Sequence, residues 1–478
     1  MKRYIIIIVA LLLPLMAGAS EKKVILSSPD INGDGMVNAQ DLVVWIDYYL
    51  KKADCKDTKI VVLSDPHVMA PGLLVSKGSA WTNYMSSQRK MVDYSQALFD
   101  EMVTKLKDEI KPDLVLITGD LTKDGEKLSH AYVKGKLDEL RASGIRTLVI
   151  PGNHDYGDNI DAVVYDGASM TPVEVATDEW FAMQYADYGY GEDSEREATS
   201  LTYACEPFED LVVIGIDSGI EGSVSEETLN WVTERAEAAT SNGKRVIAMM
   251  HHPLIPHVSN AESLVPTYVV SNHDHIRKAL IDAGVKVIFT GHFHTSDIAK
   301  DYDEDIVKEI YDVNTGSLIS YPCDYREVTI SGDLMELNLT TGHITSLTDD
   351  DSFSSEMAKE RLRSSVKKAI QERIEAKVGA MVALIPSSMI ESMASLVADA
   401  FIIHAEGNEA DVDTDAIMTG LVPAFIMEEE SEDMCRSMLE DKAPYGIEGR
   451  ENVTDDLILN ILDRLSIEDI VNQIFEDK

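Results

Sequence analysis

The sequence predicts an α/β fold in which buried strands are covered by helices on both faces. Between about Lys59 and Ile298, apolar runs alternate with helical patterns. The runs are continuously apolar, which is typical of strands buried on both faces, and the helices between them favour a layered α/β arrangement. The β runs are, in chain order, "KIVVLS", "DLVLIT", "RTLVIP", "LVVIGID", "RVIAMM" and "VKVIFT".

Three of the segments between these runs have helical patterns. Leu98, Met102, Leu106 and Ile110 recur at every fourth position and form one apolar stripe. The segments "EKLSHAYVKGKLDELRASG" and "SEETLNWVTERAEAATSNG" both end in glycine, a usual helix stop signal. Residues 156–200, rich in Tyr, Asp and Gly, are expected to form a long irregular insertion.

The chain changes character after the last β run. Short strand-like pieces occupy about residues 310–348, and from about residue 352 the pattern is helical. We therefore expect a helical C-terminal region at residues 349–478. Its role stays open between covering the sheet, pairing with another subunit and shaping the pocket.

The net charge is strongly negative. The chain has 84 acidic and 42 basic residues, a formal charge of -42. A polyanion repels phosphate backbones and anionic lipid, so we expect no binding along a nucleic-acid backbone. A small phosphate ester can still bind where metal cations reverse the local field.

Residues 1–19 have the pattern of a secretory signal peptide. Lys2 and Arg3 form a basic start, an apolar run follows, and Ala17-Gly18-Ala19 supply a small-residue cleavage site. The apolar run is short for a membrane span. We expect an exported protein, periplasmic or extracellular, with no membrane span in the mature chain; a retained N-terminal anchor is the alternative.

The four cysteines are Cys55, Cys205, Cys323 and Cys435. Export permits disulfides, and four cysteines allow three pairings, between which the sequence does not choose. Free buried thiols are an equally good interpretation.

Five of the β runs end in side chains that can bind metal. In chain order, the endings are Asp65-Pro66-His67, Gly119-Asp120, Gly152-Asn153-His154-Asp155, His251-His252-Pro253 and Gly291-His292-Phe293-His294. For any one of them, a turn or a helix cap is the simpler interpretation. Because ligands bind outside the carboxyl ends of strands in open α/β sheets, we expect the five endings to converge on one site.

The donor types favour two metal ions over one. Imidazole binds zinc, iron and manganese, and carboxylate oxygens suit manganese and harder ions. Two ions roughly 3.5–4 Å apart need a bridging ligand, and such a pair polarises a phosphoryl oxygen and acidifies a bound water. Asp120 is the natural bridge. We expect two divalent or trivalent transition-metal ions (Mn, Fe or Zn) and a small phosphate-ester substrate.

The motif order DxH, GD, GNHD, HHP and GHxH resembles the calcineurin-like metallophosphoesterase family. The match covers about residues 59–330, and "DLVLITGDLTKDGE" resembles the branch that contains cyclic-nucleotide phosphodiesterase-like proteins. The resemblance implies a metal-dependent phosphoric ester hydrolase. It also implies a sandwich of two mixed β-sheets flanked by helices, in a domain that we place at residues 57–348.

The resemblance further implies seven metal ligands. They are Asp65, His67 and His294 for the first metal, Asp120 as the bridge, and Asn153, His251 and His292 for the second metal. Of the adjacent histidines, His251 fits the family pattern better than His252, because it lies two positions before Pro253.

The resemblance implies catalytic roles for two more residues. His154 matches the residue that contacts the phosphate and helps the leaving oxygen to acquire its proton. Asp155 would orient His154, as carboxylates often do for imidazole.

Gly152 is expected to permit the unusual backbone angles of the strand exit. Tyr325 and Arg326 either reach a substrate phosphate or belong to an ordered strand-edge loop.

Residues 27–53 carry a separate motif, a twelve-residue loop before a helix-like run. The loop positions that bind calcium in such motifs are filled by Asp30, Asn32, Asp34, Met36 (through its backbone carbonyl) and Asp41. The segment resembles one calcium-binding half of a dockerin, although no convincing second half is present. We expect a calcium site here and a candidate attachment point for a protein partner; an Asp/Asn/Gly-rich turn is the alternative.

Three functions are compatible with these observations. The first is a secreted dinuclear phosphoesterase that hydrolyses a phosphate mono- or diester by metal-activated hydroxide attack. The second is a catalytically silent binding or scaffold protein with the same fold, and the third is a cell-surface complex component attached through the dockerin-like segment. The complete ligand set favours the enzyme. Monoesters, diesters, cyclic nucleotides and pyrophosphates all remain open as substrates.

Overall fold

The computed structural model describes residues 21–25, 56–157, 161–257, 268–303, 308–331, 336–378 and 387–406. Three predicted features lie outside the described residues: the signal peptide, the calcium loop with its ligands Asp30 to Asp41, and the part of the helical region after residue 406.

The strands follow the apolar runs closely. In chain order they are β1 (Glu21–Ile25), β2 (Thr58–Leu63), β3 (Leu74–Ser76), β4 (Leu114–Ile117), β5 (Arg146–Val149), β6 (Val163–Asp166), β7 (Ser169–Pro172), β8 (Ser194–Arg196), β9 (Tyr203–Phe208), β10 (Leu211–Ile216), β11 (Arg245–Met250), β12 (Val287–Thr290), β13 (Asp297–Asp303), β14 (Lys308–Asn314), β15 (Asp324–Ile330) and β16 (Glu336–His343).

The helices lie between and after these strands. They are α1 (Ser79–Ser87), α2 (Ser95–Lys105, continued by a π-helical turn at Leu106–Ile110), α3 (Lys127–Ala142), α4 (Asp178–Gln184), α5 (Glu226–Ser241), α6 (His273–Asp282), α7 (Ser355–Val378) and α8 (Ser387–Ala405), with 3-10 turns at Pro71–Leu73, Val92–Tyr94 and Ala186–Tyr188.

Two mixed sheets form the centre of the described structure, which confirms the predicted sandwich. The first has the strand order β1-β16-β15-β2-β4-β5, and the second has the order β13-β14-β12-β11-β10-β9-β8. Strands β2, β4 and β5 are parallel neighbours in the first sheet, and β10, β11, β12 and β14 are parallel in the second. Parallel strands that are neighbours deliver their carboxyl ends to the same edge.

The side chains of the second sheet alternate between two cores. In β11, Ile247 and Met249 belong to the core shared with the first sheet, whereas Val246 and Ala248 pack with residues of α5 and α6. This alternation is the two-residue period of a strand. It explains why the run reads as continuously apolar: both faces are covered.

Residues 156–200 are more ordered than the sequence indicates. Strands β6 and β7 pair antiparallel as a hairpin, and β3 pairs with β6 to complete a small third sheet. Helix α4 begins at an N-cap in which Thr177 accepts a hydrogen bond from the backbone of Trp180. The expectation of an irregular insertion is therefore wrong, because strands of only four residues carry little periodic signal.

The first sheet includes a strand from before the predicted domain. β1 pairs with β16 along its whole length, from Glu21 opposite Thr340 to Ile25 opposite Glu336. The predicted calcium segment at residues 27–53 is therefore bracketed in sequence by two strands of one sheet, β1 and β2.

The C-terminal helices α7 and α8 share the main core. They contribute a row of buried side chains to it, namely Leu362, Val366, Ile370, Ile390, Ala394, Ala398 and Ile402. Burial of this apolar surface, worth about 25 cal/mol per Å², fastens the helix pair to the sandwich. Within the described residues, no helix combines the length and the apolar character needed to cross a bilayer.

Candidate metal centre

Within each sheet, backbone hydrogen bonds join the neighbouring strand exits. The amide of Asp65 donates to the carbonyl of Gly119 at 3.1 Å, and the amide of His67 donates to the carbonyl of Asp120 at 2.9 Å. Across the second sheet, the amide of Gly291 donates to the carbonyl of His251 at 2.9 Å. The two sets of exits are connected by the amide of His292, which donates to the Asp65 carboxylate, so the endings converge as expected.

The first group of donors contains Asp65, His67, Asp120 and His294, whose ligand atoms all lie within 4.8 Å of one another. His294 Nε2 lies 3.1 Å from Asp65 Oδ1 and 3.4 Å from His67 Nε2. The second oxygen of Asp65 accepts from the backbone amide of His292 at 3.0 Å and from the Ser64 hydroxyl. One carboxylate oxygen is thus held in place while the other faces the imidazoles.

The second group contains Asp120, His251 and His292, and it shares Asp120 with the first group. His292 Nδ1 lies 3.2 Å from His251 Nε2, and Asn153 Oδ1 lies 3.0 Å from the same nitrogen. Asp120 Oδ2 is 3.4 Å from both His67 Nε2 and His251 Nε2. The shared carboxylate therefore occupies the position between the two groups.

The spacing of these donor atoms suits binding to a shared metal ion better than hydrogen bonding among themselves. A metal that binds two imidazole nitrogens tetrahedrally at about 2.0–2.1 Å places those nitrogens about 3.3 Å apart, close to the separations within both groups. Asp120 Oδ2 is buried without a hydrogen-bond partner among the described residues, an arrangement that is costly unless a cation is bound. His251 Nδ1 lies 2.9 Å from the Thr118 carbonyl. A carbonyl only accepts, so Nδ1 carries a proton and Nε2 is left to bind a metal.

Five of these residues have a left-handed backbone. The φ angles are 49° for Asp65, 36° for His67, 50° for Asp120, 64° for His292 and 57° for His294. Such angles cost a non-glycine residue about 1–2 kcal/mol, although Asp and His adopt them more often than most residues. Strain concentrated on one set of polar side chains is typical of functional sites.

Two glycines allow these loops to approach closely. A Cβ atom on Gly119, which has a φ of +103°, would lie 2.5 Å from His251 Nδ1. A Cβ atom on Gly152 would collide with the Asp120 carboxylate. Gly152 is not among the residues with a positive φ, so the expectation that it supplies unusual backbone angles is wrong; it supplies room for Asp120.

The ionisation of the site favours cation binding. Burial raises the pKa of Asp120, but the neighbouring His251, His154 and His67 outweigh it and hold that pKa well below its usual range. Burial also keeps the pKa of His67 well below 6.5, so its imidazole stays neutral. Burial lowers the pKa of His251 as well, yet Asp120 and Asp65 raise it to about 9. A bound metal would replace that proton, since metal binding to imidazole releases protons.

His154 lies beside the first group, with its ring centroid 4.9 Å from that of His67. Its Nδ1 is 3.0 Å from Oδ1 of Asp124, a buried carboxylate. Burial raises the pKa of Asp124, but the hydrogen bond with His154 and the Lys123 ammonium outweigh it and lower that pKa. Asp124 is thus ionised and positioned to orient His154.

This geometry corrects the role predicted for Asp155. Its carboxylate accepts from the amides of Gly152, Leu121 and Thr122 and from the Thr122 hydroxyl, each at 2.9 Å. Both oxygens are turned toward these donors and not toward the His154 ring. Asp155 therefore fixes the two strand-exit loops to each other, and Asp124 is the residue that sequence reasoning missed.

Three other residues named in the sequence analysis have structural contacts. His252 Nδ1 lies 2.8 Å from the Ser218 hydroxyl, so His251 is the member of the pair in the metal group. Tyr325 and Arg326 are buried in β15, and Arg326 donates to the carbonyl of Asn314 at 3.0 Å. Both residues therefore lie in an interior strand of the first sheet, rather than in the strand-edge loop of the alternative.

The two cysteines in the described part of the chain, Cys205 and Cys323, are buried free thiols. Cys55 and Cys435 lie outside the described residues. The interpretation as free thiols thus holds for the first two.

Comparison with known proteins agrees with the motif order. A family model described as calcineurin-like phosphoesterase matches residues 58–296, half of the 478-residue chain. A probable glycerophosphodiester phosphodiesterase from Arcobacter nitrofigilis is 26% identical over 198 residues, covering 41% of this chain and 56% of the relative. A probable cyclic nucleotide phosphodiesterase from Rhodococcus erythropolis is 24% identical over 245 residues, covering 50% of this chain and 66% of the relative.

The chain spans between about half and two thirds of the length of these curated relatives. Among solved structures, a dimetal phosphatase from Danio rerio aligns with a TM-score of 0.38 and 14% identity, over 59% of this chain and 98% of the other.

Proposed function

Because the chain belongs to the calcineurin-like phosphoesterase family, we propose that it is a dinuclear metal-dependent hydrolase of phosphate mono- or diesters. The observation that carries the proposal is the pair of donor groups that share Asp120. The names of two relatives, a glycerophosphodiester and a cyclic nucleotide phosphodiesterase, support an ester of phosphate as the substrate.

The proposed reaction consumes one water per ester. Water attacks the phosphorus atom, the ester P–O bond breaks, and the leaving oxygen takes up a proton, which gives an alcohol and a phosphate. Two Mn, Fe or Zn ions would supply the Lewis acidity that polarises the phosphoryl oxygen and lowers the pKa of the attacking water.

The side chains divide this work. Asp65, His67 and His294 would hold one cation, Asn153, His251 and His292 the other, and Asp120 both. His154, next to the first group, would supply a proton to the leaving oxygen. Asp124 would hold the His154 ring through Nδ1, which directs Nε2 to that task.

The test is metal depletion and restoration. The full chain is stripped with a chelator, and Mn, Zn or Fe is restored in turn before assay on p-nitrophenyl phosphate, bis(p-nitrophenyl) phosphate and a panel of natural mono- and diesters. We expect hydrolysis to disappear on stripping and to return with at least one metal. Absence of activity with every metal would favour the alternative, a catalytically silent scaffold with this fold.

We also propose that the protein is exported. The signal-like pattern of residues 1–19 ends two positions before β1 begins at Glu21, so cleavage after Ala19 would leave that strand whole. N-terminal sequencing of the protein from fractionated cells tests this. A mature chain that still begins at Met1 would contradict it.

Finally, we propose that residues 27–53 bind one calcium ion, on the strength of the loop pattern alone. Calcium there would order a segment that a protein partner of the dockerin-binding kind would contact.

A further inference from the structure

A pocket lies next to the candidate metal centre. His292 and His294 line one side of it, and Leu362 of α7 with Phe401 and Ala405 of α8 line another. We propose that the α7–α8 pair is the substrate-selecting wall of the active site, which takes phosphate esters with an apolar organic group. This inference rests on the proposed phosphoesterase function.

The side chains that line the pocket indicate that chemistry. Tyr268 and Phe293 add aromatic surface, and the Tyr268 ring lies 4.8 Å from the His292 ring. The apolar lining thus begins directly at a metal ligand.

The pocket also contains a cation. Arg89 lines it, in a chain whose formal charge is -42. A guanidinium presents a planar fork of donors that matches phosphate oxygens. A phosphate bound at the metal ligands would thus have Arg89, Leu362 and Phe401 in the same pocket as its organic group.

Helix α7 holds the segment that carries Arg89. Lys368 Nζ donates to the carbonyl of Ser86 at 2.9 Å, Ser365 Oγ donates to the carbonyl of Gln88 at 3.4 Å, and Arg361 pairs with Asp93 at 2.8 Å. These three contacts span both sides of Arg89 in sequence. The helix is therefore fastened to the pocket as well as to the core.

The end of α8 is fastened across the same pocket. Glu406 Oε1 accepts from the Tyr321 hydroxyl and from Lys359 Nζ, each at 2.7 Å. Tyr321 is itself a lining residue, and Lys359 belongs to α7. One carboxylate thus connects the end of α8 to α7 and to a residue that lines the pocket.

The test compares the affinity of two phosphonates, which bind like phosphate esters but have no ester bond to break. Calorimetry on the metal-reconstituted full chain measures the Kd of phenylphosphonate and of methylphosphonate. We expect the wild type to bind the phenyl compound at least about tenfold more tightly, since pocket contacts of one or two apolar groups change binding by about that factor.

Phe401→Ala and Leu362→Ala should reduce this preference to less than about threefold. Phe401→Leu, which keeps an apolar side chain but loses the ring, is a second variant in case alanine impairs folding. The matched control is Ile370→Ala, a buried α7 residue outside the pocket, which should keep the wild-type ratio.

Equal affinities in the wild type, or an unchanged affinity ratio in the Phe401 and Leu362 variants, would contradict the proposal that α7 and α8 select the substrate. Hydrolysis of p-nitrophenyl phosphate, measured on the same samples, reports separately on the proposed function. A wild type that prefers the phenyl ligand but hydrolyses no ester would contradict the proposed function and support the selecting role of α7 and α8. A wild type that hydrolyses esters but binds both ligands equally would support the function and contradict the selecting role.

Discussion

His154 Nδ1 lies 3.0 Å from Asp124 Oδ1, and the other oxygen of the same carboxylate contacts the Lys123 ammonium. Lys123 in turn lies 3.3 Å from Glu126 Oε1 and donates to the carbonyl of Asp161 at 2.9 Å. The imidazole beside the candidate metal centre is thus oriented by a buried ionic cluster in the loop between β4 and α3.

Asp124→Ala should lower kcat by about 10–100-fold, the usual effect of removing a carboxylate that orients an imidazole. The metal content should stay that of the wild type, because Asp124 belongs to neither donor group. The Asp124→Ala/His154→Ala double variant should be no slower than His154→Ala, since both changes remove one function. Asp166→Ala, at an exposed position, is the control; additive losses would contradict the orienting role.

Asp120→Ala and His154→Ala should fail in different ways. Asp120 is shared by both donor groups, so its loss should deplete metal and activity together. His154 is in neither group, so its loss should reduce turnover while metal content stays near that of the wild type. Elemental analysis of the purified variants distinguishes the two, and metal loss in His154→Ala would show that its assigned role is wrong.

Asp155→Asn should destabilise the fold. Each carboxylate oxygen accepts two hydrogen bonds, so an amide nitrogen at either place leaves two buried donors without an acceptor. A buried unsatisfied group costs about 1–3 kcal/mol. Burial and the charge of Asp120 raise the pKa of Asp155 to about 7, so denaturant unfolding is best compared at pH 8. An unchanged midpoint would contradict the structural role.

His257 should make stability depend on pH. Burial lowers its pKa, but Asp312 and Asp297 outweigh this and raise it to about 9; Nδ1 lies 3.0 Å from Asp297 and Nε2 3.4 Å from Asp312. Because the folded pKa exceeds the ordinary 6.5, the contribution is fully present below pH 6.5 and is lost as pH rises through about 9.

The measurement for His257 is the free energy of unfolding of wild type and His257→Gln from pH 6 to 10. The difference between the two should shrink as pH rises. The control is His275→Gln, because His275 pairs with Glu226 at an exposed position, and such a pair is worth little. A difference that is constant with pH would refute the ion-pair account.

Calcium binding should depend on Asp30 and Asp34, which fill loop positions 1 and 5. Calorimetry with the catalytic metals already loaded should detect about one calcium ion per wild-type chain and none in Asp30→Ala/Asp34→Ala. Equal uptake by the two proteins would remove the calcium proposal without affecting the phosphoesterase proposal.

The sequence alone predicted the layered α/β fold, because strands such as "RVIAMM" are buried on two faces and read as unbroken apolar runs. It also selected the donors that the structure brings together. Parallel neighbours such as β2 and β4 end at one edge, so the residues after them, Asp65 and Asp120, must lie close together whatever the loops do.

Only the tertiary structure decided where the side chains between and beyond the strand ends point. Asp155 follows His154 in the chain, but a turn directs its carboxylate to backbone amides, and Asp124, thirty positions earlier, faces the imidazole instead. The signal for Asp124 was its place in "GDLTKD", four residues after the shared carboxylate; sequence spacing does not give the direction of a side chain in a loop.

The same limit applies to β1 and to the helical C-terminal region. Periodicity identifies a strand or a helix by its own burial pattern, but its partner is set by packing between elements far apart in the chain. That β1 completes the sheet of β16, and that Leu362 and Phe401 close a pocket beside His292, follows from long-range contacts. The sequence therefore determined the chemistry of the centre, and the fold determined its neighbours.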